Sequence, residues 1–264
     1  AVGPDYQRPE APVGEHFREE VRSTAWKQAE PADLKDRGPW WESFNDGVLN
    51  TLMQSLNEQN FTLQQAQARV RQAQATLSNT RSTQFPQVGS SVGTTRRGSG
   101  SGDTSQSSSA YDASITVNWE VDLWGRIRRQ VEAGDAGLQA SAADMAATRL
   151  SLQSQLAQTY LQYRSVESSE RVLDETVAAY ERSLQINQNR LDAGFSAPGD
   201  VAAALSQLEG ARTQRLALNR EKATYLHAMA VLVGRAPSQF EVVPHAPWPV
   251  APDIPVGLPS SLLE

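Results

Sequence analysis

The chain has 264 residues, 39% hydrophobic and 20% charged, with a formal net charge of -6 and a mean hydropathy of -0.49. That acidic balance argues against a nucleic-acid binder, which shows a basic stripe, and the absence of cysteine excludes disulfides, thiolate catalysis and cysteine-ligated metal. No run of about 18 apolar residues is available for a membrane-crossing helix, but alternating barrel strands leave hydropathy flat, so a membrane β-structure stays open.

Residues 1–46 form the first segment. Pro4, Pro9, Pro12, Pro31 and Pro39 punctuate it, so it reads as an extended stretch lying over something else, or as a disordered tail. Trp40, Trp41 and Phe44 then precede a helix that Asn45 or Asp46 can cap. Over 47–84 the apolar residues Leu49, Leu52, Leu56, Leu63, Ala66, Val70, Ala73 and Leu77 recur in steps of three, four and seven, a coiled-coil seam. Thr62 followed by Gln65 reads as a capping box, which predicts a break near residues 60–62. Phe85-Pro86 ends the helix.

Residues 85–121 read as a β-hairpin. In 87–97, Val88, Val92 and Thr94 share one parity, with Gly89, Gly93 and Thr95 on the other. Residues 98–109 are Gly/Ser-rich with no apolar residue and read as an exposed loop. Then Tyr111, Ala113, Ile115, Val117, Trp119 and Val121 alternate with Asp112, Ser114, Thr116, Asn118 and Glu120. Unbroken alternation over about 11 residues gives a two-faced strand long enough, when tilted, to cross a bilayer. The periodicity by itself also fits an ordinary hairpin with one wet face.

At 122–126 the period changes. No proline occurs from Arg126 until Pro198, and a continuous helix of that extent would be about 100 Å long. Gly134 and Gly137 are its weak points. The steps Leu156, Thr159, Tyr163, Val166, Glu170, Leu173, Val177, Tyr180, Leu184, Asn187 and Leu191 alternate threes and fours. Residues 194–200 form a turn, with Gly194 suited to the left-handed C′ position and Asp200 to an N-cap or first-turn charge. A return helix over 201–233 would use Val201, Leu205, Leu208, Leu216, Leu226, Met229 and Val233 as contacts, making 122–236 an antiparallel helical hairpin. Residues 237–264 hold seven prolines and read as a linker, with Ser260 or Ser261 placed to cap a helix about to begin. The fold class is α+β.

Four stretches carry a family resemblance: 2–9 (Val-Gly-Pro-Asp-Tyr-Gln-Arg-Pro), Trp40-Trp41 leading to Phe44, 119–126 (Trp-Glu-Val-Asp-Leu-Trp-Gly-Arg), and 257–263 (Gly-Leu-Pro-Ser-Ser-Leu-Leu). Together they resemble the outer membrane factors of tripartite efflux and secretion systems, the TolC and OprM-like group, in its lipoprotein branch. The resemblance covers the first of the family's two repeats and implies a trimeric α/β-barrel channel, with 12 strands when complete. It implies an export duct in a Gram-negative outer membrane, largely periplasmic, and no catalysis or cofactor. Its implied partners are two further copies, a periplasmic membrane-fusion adaptor, an inner-membrane resistance-nodulation-division type transporter and outer-membrane lipid. It also implies a lipid anchor on a cysteine preceding Ala1 and a second repeat after Glu264.

Residue by residue, the resemblance places Asp112, Ser114, Thr116, Asn118 and Glu120 on the lumen face of the strand. Trp119, Asp122, Trp124, Gly125 and Arg126 form its strand–helix junction. Arg190, Asp192, Gly194, Ser196, Asp200 and Val201 form its adaptor-docking tip, where Gly199 stands in place of the family's usual apolar residue. Two other readings compete. A periplasmic coiled-coil adaptor explains the helical hairpin but not the alternating strand, and a type I secretion duct shares the architecture. His16, His227 and His245 are scattered and have no metal spacing or partner motif.

Overall fold

The computed structural model describes residues 3–7, 38–99 and 106–242. Most of the proline-rich N-terminal segment, the centre of the polar loop, and the stretch from 243 onward with its 257–263 motif lie outside the described residues. The described elements are a 3-10 turn (Trp40–Phe44), α1 (Gly47–Gln59), α2 (Phe61–Ser82), β1 (Gln87–Ser99), β2 (Gln106–Asn118), α3 (Arg126–Asp192), α4 (Pro198–Leu232) and a second 3-10 turn (Pro237–Gln239). The described residues divide between two compact units, one holding 3–7, 65–99 and 106–147, the other 38–64 and 148–242. α2 and α3 each contribute to both.

The first unit is built on the hairpin. β1 and β2 pair antiparallel, with Val88 opposite Val117, Val92 opposite Ala113 and Thr94 opposite Tyr111. Side chains alternate sides along a strand, so these six share one face. Gly89, Ser91 and Gly93, opposite Thr116, Ser114 and Asp112, share the other. The parity read from sequence therefore holds on both strands, but the extents differ. Each strand has 13 residues, reaching Ser99 and restarting at Gln106, so much of the polar 98–109 stretch is strand. Gly98, Ser99, Gln106 and the serines 107–109 there find ladder partners, and backbone pairing overrides the loop-like composition. β2 also ends at Asn118, three residues short of the expected Val121.

In the same unit, α2 and α3 approach at Gly134. A methyl group there would lie 3.2 Å from Leu77 Cδ1, and Leu77 is buried. The helix runs unbroken through this glycine, whose missing side chain makes room for Leu77. Arg81 and Asp135 pair at 3.2 Å across the two helices. Asp5 pairs with Arg129 at 2.7 Å, so part of the N-terminal segment lies over α3.

The second unit holds the main core. Leu49, Leu52, Met53 and Leu56 of α1 pack with Leu156, Tyr160 and Tyr163 of α3 and with Met229, Val233 and Phe240 near the end of α4. Each fully buried side chain of this kind contributes about 1.5–3 kcal/mol. Asp46 caps α1, its Oδ1 accepting from the Val48 and Leu49 amides at 2.9 and 3.0 Å. The break before α2 sits at Asn60, not at a Thr62–Gln65 box. Asn60 has extended backbone and its Oδ1 accepts from the Leu63 amide at 2.9 Å. Its Nδ2 donates to the Leu232 carbonyl at 2.8 Å, tying the end of α4 to the α1–α2 joint.

All eleven seam positions read on α3 are buried or half-buried. On α4 the reading is corrected. Leu205 and Leu216 are 46% and 70% exposed, and the buried positions are Ala204, Leu208, Ala211, Met229, Ala230 and Leu232. Small residues carry much of that seam, letting the helices close together, so a search for large apolar residues misplaces it. Ion pairs between α3 and α4, Glu170–Lys222 and Glu181–Arg212, both at 2.8 Å, flank the seam.

Candidate functional site

The candidate residues fall in three places. Four of the expected lumen residues, Asp112, Ser114, Thr116 and Asn118, lie on one face of β2. Their face is polar and small: Ser91 and Ser114 share a hydroxyl–hydroxyl hydrogen bond of 2.7 Å. The Asp112 carboxyl lies over Gly93, where an added methyl would meet Oδ1 at 2.6 Å. The opposite face carries Val88, Val92, Tyr111, Ile115 and Val117, each 61–87% exposed. Glu120 is the exception. It lies beyond the strand end and pairs with Arg126, Oε2 to Nη2 at 2.7 Å. The chain must turn into α3 here, and that ion pair takes the place of a ladder partner.

Glu120 therefore belongs to the strand–helix junction. Asp122 Oδ2 accepts from the Arg128 amide at 2.9 Å, satisfying a free donor in the first turn of α3. Desolvation works to raise its carboxyl, but the amides of Arg128, Ile127 and Arg126 and the Arg128 guanidinium hold it below the usual carboxylate range. Gly125 is buried with φ 82, the left-handed turn that lets the chain enter the helix. Trp119 Nε1 donates to the Gln84 carbonyl at 3.2 Å while 57% of the residue stays exposed, and Trp124 is 78% exposed. An anchored amphipathic ring of this kind suits a water–lipid boundary.

The third place is the α3–α4 turn. Gly194 has φ 80; its amide donates to the Leu191 carbonyl and that of Phe195 to Arg190, a Schellman closure that favours glycine. Pro198 occupies the first position of α4, where its missing N–H costs nothing. The helix thus starts three residues before the expected Val201, and Asp200 is a first-turn charge. Its Oδ2 accepts from Ser196 Oγ at 2.7 Å and from the Ala197 amide at 3.1 Å. The Ser196 hydroxyl, then the Ala197 amide, hold the Asp200 carboxyl below the usual range. Arg190, Asp192 and Gly194 are exposed, Ser196 and Val201 half-buried, and Asp192 accepts from Gln188 at 3.0 Å. A concavity of about 400 Å³ opens here, with Arg190, Phe195, Ser196 and Asp200 in its wall.

Two residues were missed by sequence reasoning. Phe195, 78% exposed at the turn, was legible as the one aromatic residue between Gly194 and Pro198. Gly93 was read only for parity; its role as the seat of Asp112 depends on register. Among the described residues no helix is long and apolar enough to cross a membrane.

Comparison with known proteins agrees with this geometry. The pyoverdine export outer membrane protein OpmQ of Pseudomonas aeruginosa is 30% identical over 246 residues, 88% of this chain and 51% of that protein. The probable outer membrane lipoprotein SilC of Salmonella typhimurium is 27% identical, over 89% of this chain and 50% of that protein. The solved structure of the outer-membrane channel OprN matches with a TM-score of 0.82 at 29% identity, over 99% of this chain and 58% of that one. The chain thus spans between half and three fifths of the length of these relatives. The model of the outer membrane efflux protein family matches residues 52–235, and the chain belongs to that family.

Proposed function

We propose that this chain is part of a passive export duct of the outer membrane, the channel component of a tripartite efflux pump for drugs or other small molecules. The observation that carries the reading is the register of the hairpin. It puts Val88, Val92, Tyr111, Ile115 and Val117 on one exposed face and Ser91, Asp112, Ser114 and Thr116 on the other. Backbone groups in hydrocarbon must all be paired, so a strand pair with a lipid face needs a closed barrel. In the two-repeat protein that the family resemblance implies, three copies give 12 strands and supply that closure, with the polar face lining the lumen. Solutes pass without any bond being made or broken, and the chain is not a catalyst.

The α3–α4 turn, with Arg190, Asp192, Gly194, Phe195, Ser196, Asp200 and Val201, meets a periplasmic membrane-fusion adaptor, which links it to an inner-membrane transporter of the resistance-nodulation-division type. Two rigid helix ends and a short, hydrogen-bonded turn give such a contact a fixed shape at low ordering cost. The lipoprotein description of SilC supports a lipid anchor on a cysteine preceding this chain.

The test is negative-stain microscopy of the native protein extracted from outer membranes in detergent. Threefold tubes of roughly 100 Å or more, a length set by the rise of one long helix, are the expected result. Soluble particles of single chains, absent from the membrane fraction, would sink the proposal.

A further inference from the structure

The polar face of the hairpin carries two charges of opposite sign. Gly93–Asp112, Thr95–Ala110 and Arg97–Ser108 are pairs two residues apart on β1, and alternation puts all three on the same side. Arg97 lies toward the strand connection and Asp112 toward the helices. Asp112 is not free to project at will. Its carboxyl rests against the bare Cα of Gly93, with Oδ1 and Oδ2 at 2.6 and 2.8 Å from where a methyl would be. A residue with a side chain at position 93 would push the carboxylate off the wall. On the next pair inward the Ser91 and Ser114 hydroxyls bond each other at 2.7 Å, leaving the wall neutral there. Two residues of strand rise put each charge about 7 Å along the wall from Thr95.

We propose that Asp112 and Arg97 form a charge-selective element for ionic solutes: an anionic layer seated by Gly93 and a cationic layer outside it. The proposal rests on the reading that this face lines the lumen. Each copy in the assembly adds one charge to each layer. Fields in a narrow aqueous passage with low-dielectric walls are focused onto the solute, so organic cations linger at Asp112 and anions at Arg97.

The test uses the full-length protein in intact cells and a reporter cysteine between the two layers, Thr95→Cys; these 264 residues hold no cysteine, and the parent protein without the reporter is the labelling blank. Water-soluble methanethiosulfonates, one cationic and one anionic, are added outside and their rates compared. One unit charge about 7 Å away through water changes each rate about threefold. Asp112→Asn is expected to slow the cationic reagent and speed the anionic one by that factor. Arg97→Gln does the opposite, and Asp112→Glu keeps the original ratio. Val92→Cys, on the apolar face, stays unlabelled. If Thr95→Cys is labelled but neither neutralisation moves the ratio, the charge-selective element is wrong and the duct stands. If Val92→Cys is labelled and Thr95→Cys is not, the assignment of faces fails and the duct reading with it.

Discussion

Asn60 closes two helices with one amide, and its replacement separates what sequence shows from what it hides. Its Oδ1 caps α2 through the Leu63 amide and its Nδ2 holds the Leu232 carbonyl, in a buried position. Asn60→Ala removes both bonds and leaves buried partners unsatisfied. The expected cost is about 2–3 kcal/mol, read as a lowered melting temperature of the detergent-solubilised protein. Tyr160 makes a second residue-scale case. It is fully buried in the core and donates to Asp46 Oδ2 at 2.8 Å. Burial, then the bond to Asp46, push its phenol far above the usual range, against a smaller downward pull from Arg164. The folded value is the higher one, so its contribution is whole below about pH 10, the unfolded value, and is lost as pH rises beyond it. Melting temperature should therefore fall between pH 9 and 11, and fall less in Tyr160→Phe. The remaining slope is shared by Tyr163, which burial also pushes up, by Tyr225, raised by its bond to Glu221, and by Lys222, whose desolvation is outweighed by the bond to Glu170. A Tyr160→Phe protein with the wild-type slope would show that this phenol is not the group responsible.

At the scale of elements, the α3–α4 pair tests the seam. Leu208 and Ala211 are 2% and 5% exposed, packed with Val177 and partly buried Leu173, Tyr180 and Leu184. Ala211→Leu adds three carbons at a buried contact of the seam and should cost about 1–3 kcal/mol by overpacking, whereas Leu216→Ala, at a 70% exposed position, should leave the melting temperature nearly unchanged. Equal effects at the two sites would mean that the seam lies elsewhere. The contrast also explains what was legible. α3 was readable because its seam is made of large apolar residues at regular steps. α4 was misplaced because alanine contributes to a seam without standing out from the alanine-rich background. The hairpin faces were readable because alternation is strict, but the strand ends were not: Gly, Ser and Gln at 98–99 and 106–109 are poor local predictors of a ladder whose partner is on another strand. Likewise the α1–α2 break was expected near its place, yet the cap was assigned to Thr62 because the long-range bond from Asn60 to Leu232 leaves no trace in local sequence.

At the scale of the whole molecule, the proposal stands on which side of the hairpin meets lipid. Val92 is 87% exposed on the apolar face, and its neighbour Ser91 points to the other side, bonded to Ser114. The same substitution at the two positions therefore separates a barrel wall from a two-sided soluble hairpin. Val92→Arg would bring a guanidinium into the hydrocarbon, at about 2–4 kcal/mol per copy near the midplane. Repeated in three copies, that penalty is comparable to the whole stability of a typical domain. Ser91→Arg puts the same charge into an aqueous lumen, where its desolvation cost is small. Urea-washed outer membranes should thus retain the Ser91→Arg protein at wild-type amounts and lose most of the Val92→Arg protein. Equal retention of both would mean that neither face is held in lipid. The strand pair would then be an exposed soluble hairpin, and the route across the membrane would have to be built from residues outside this chain.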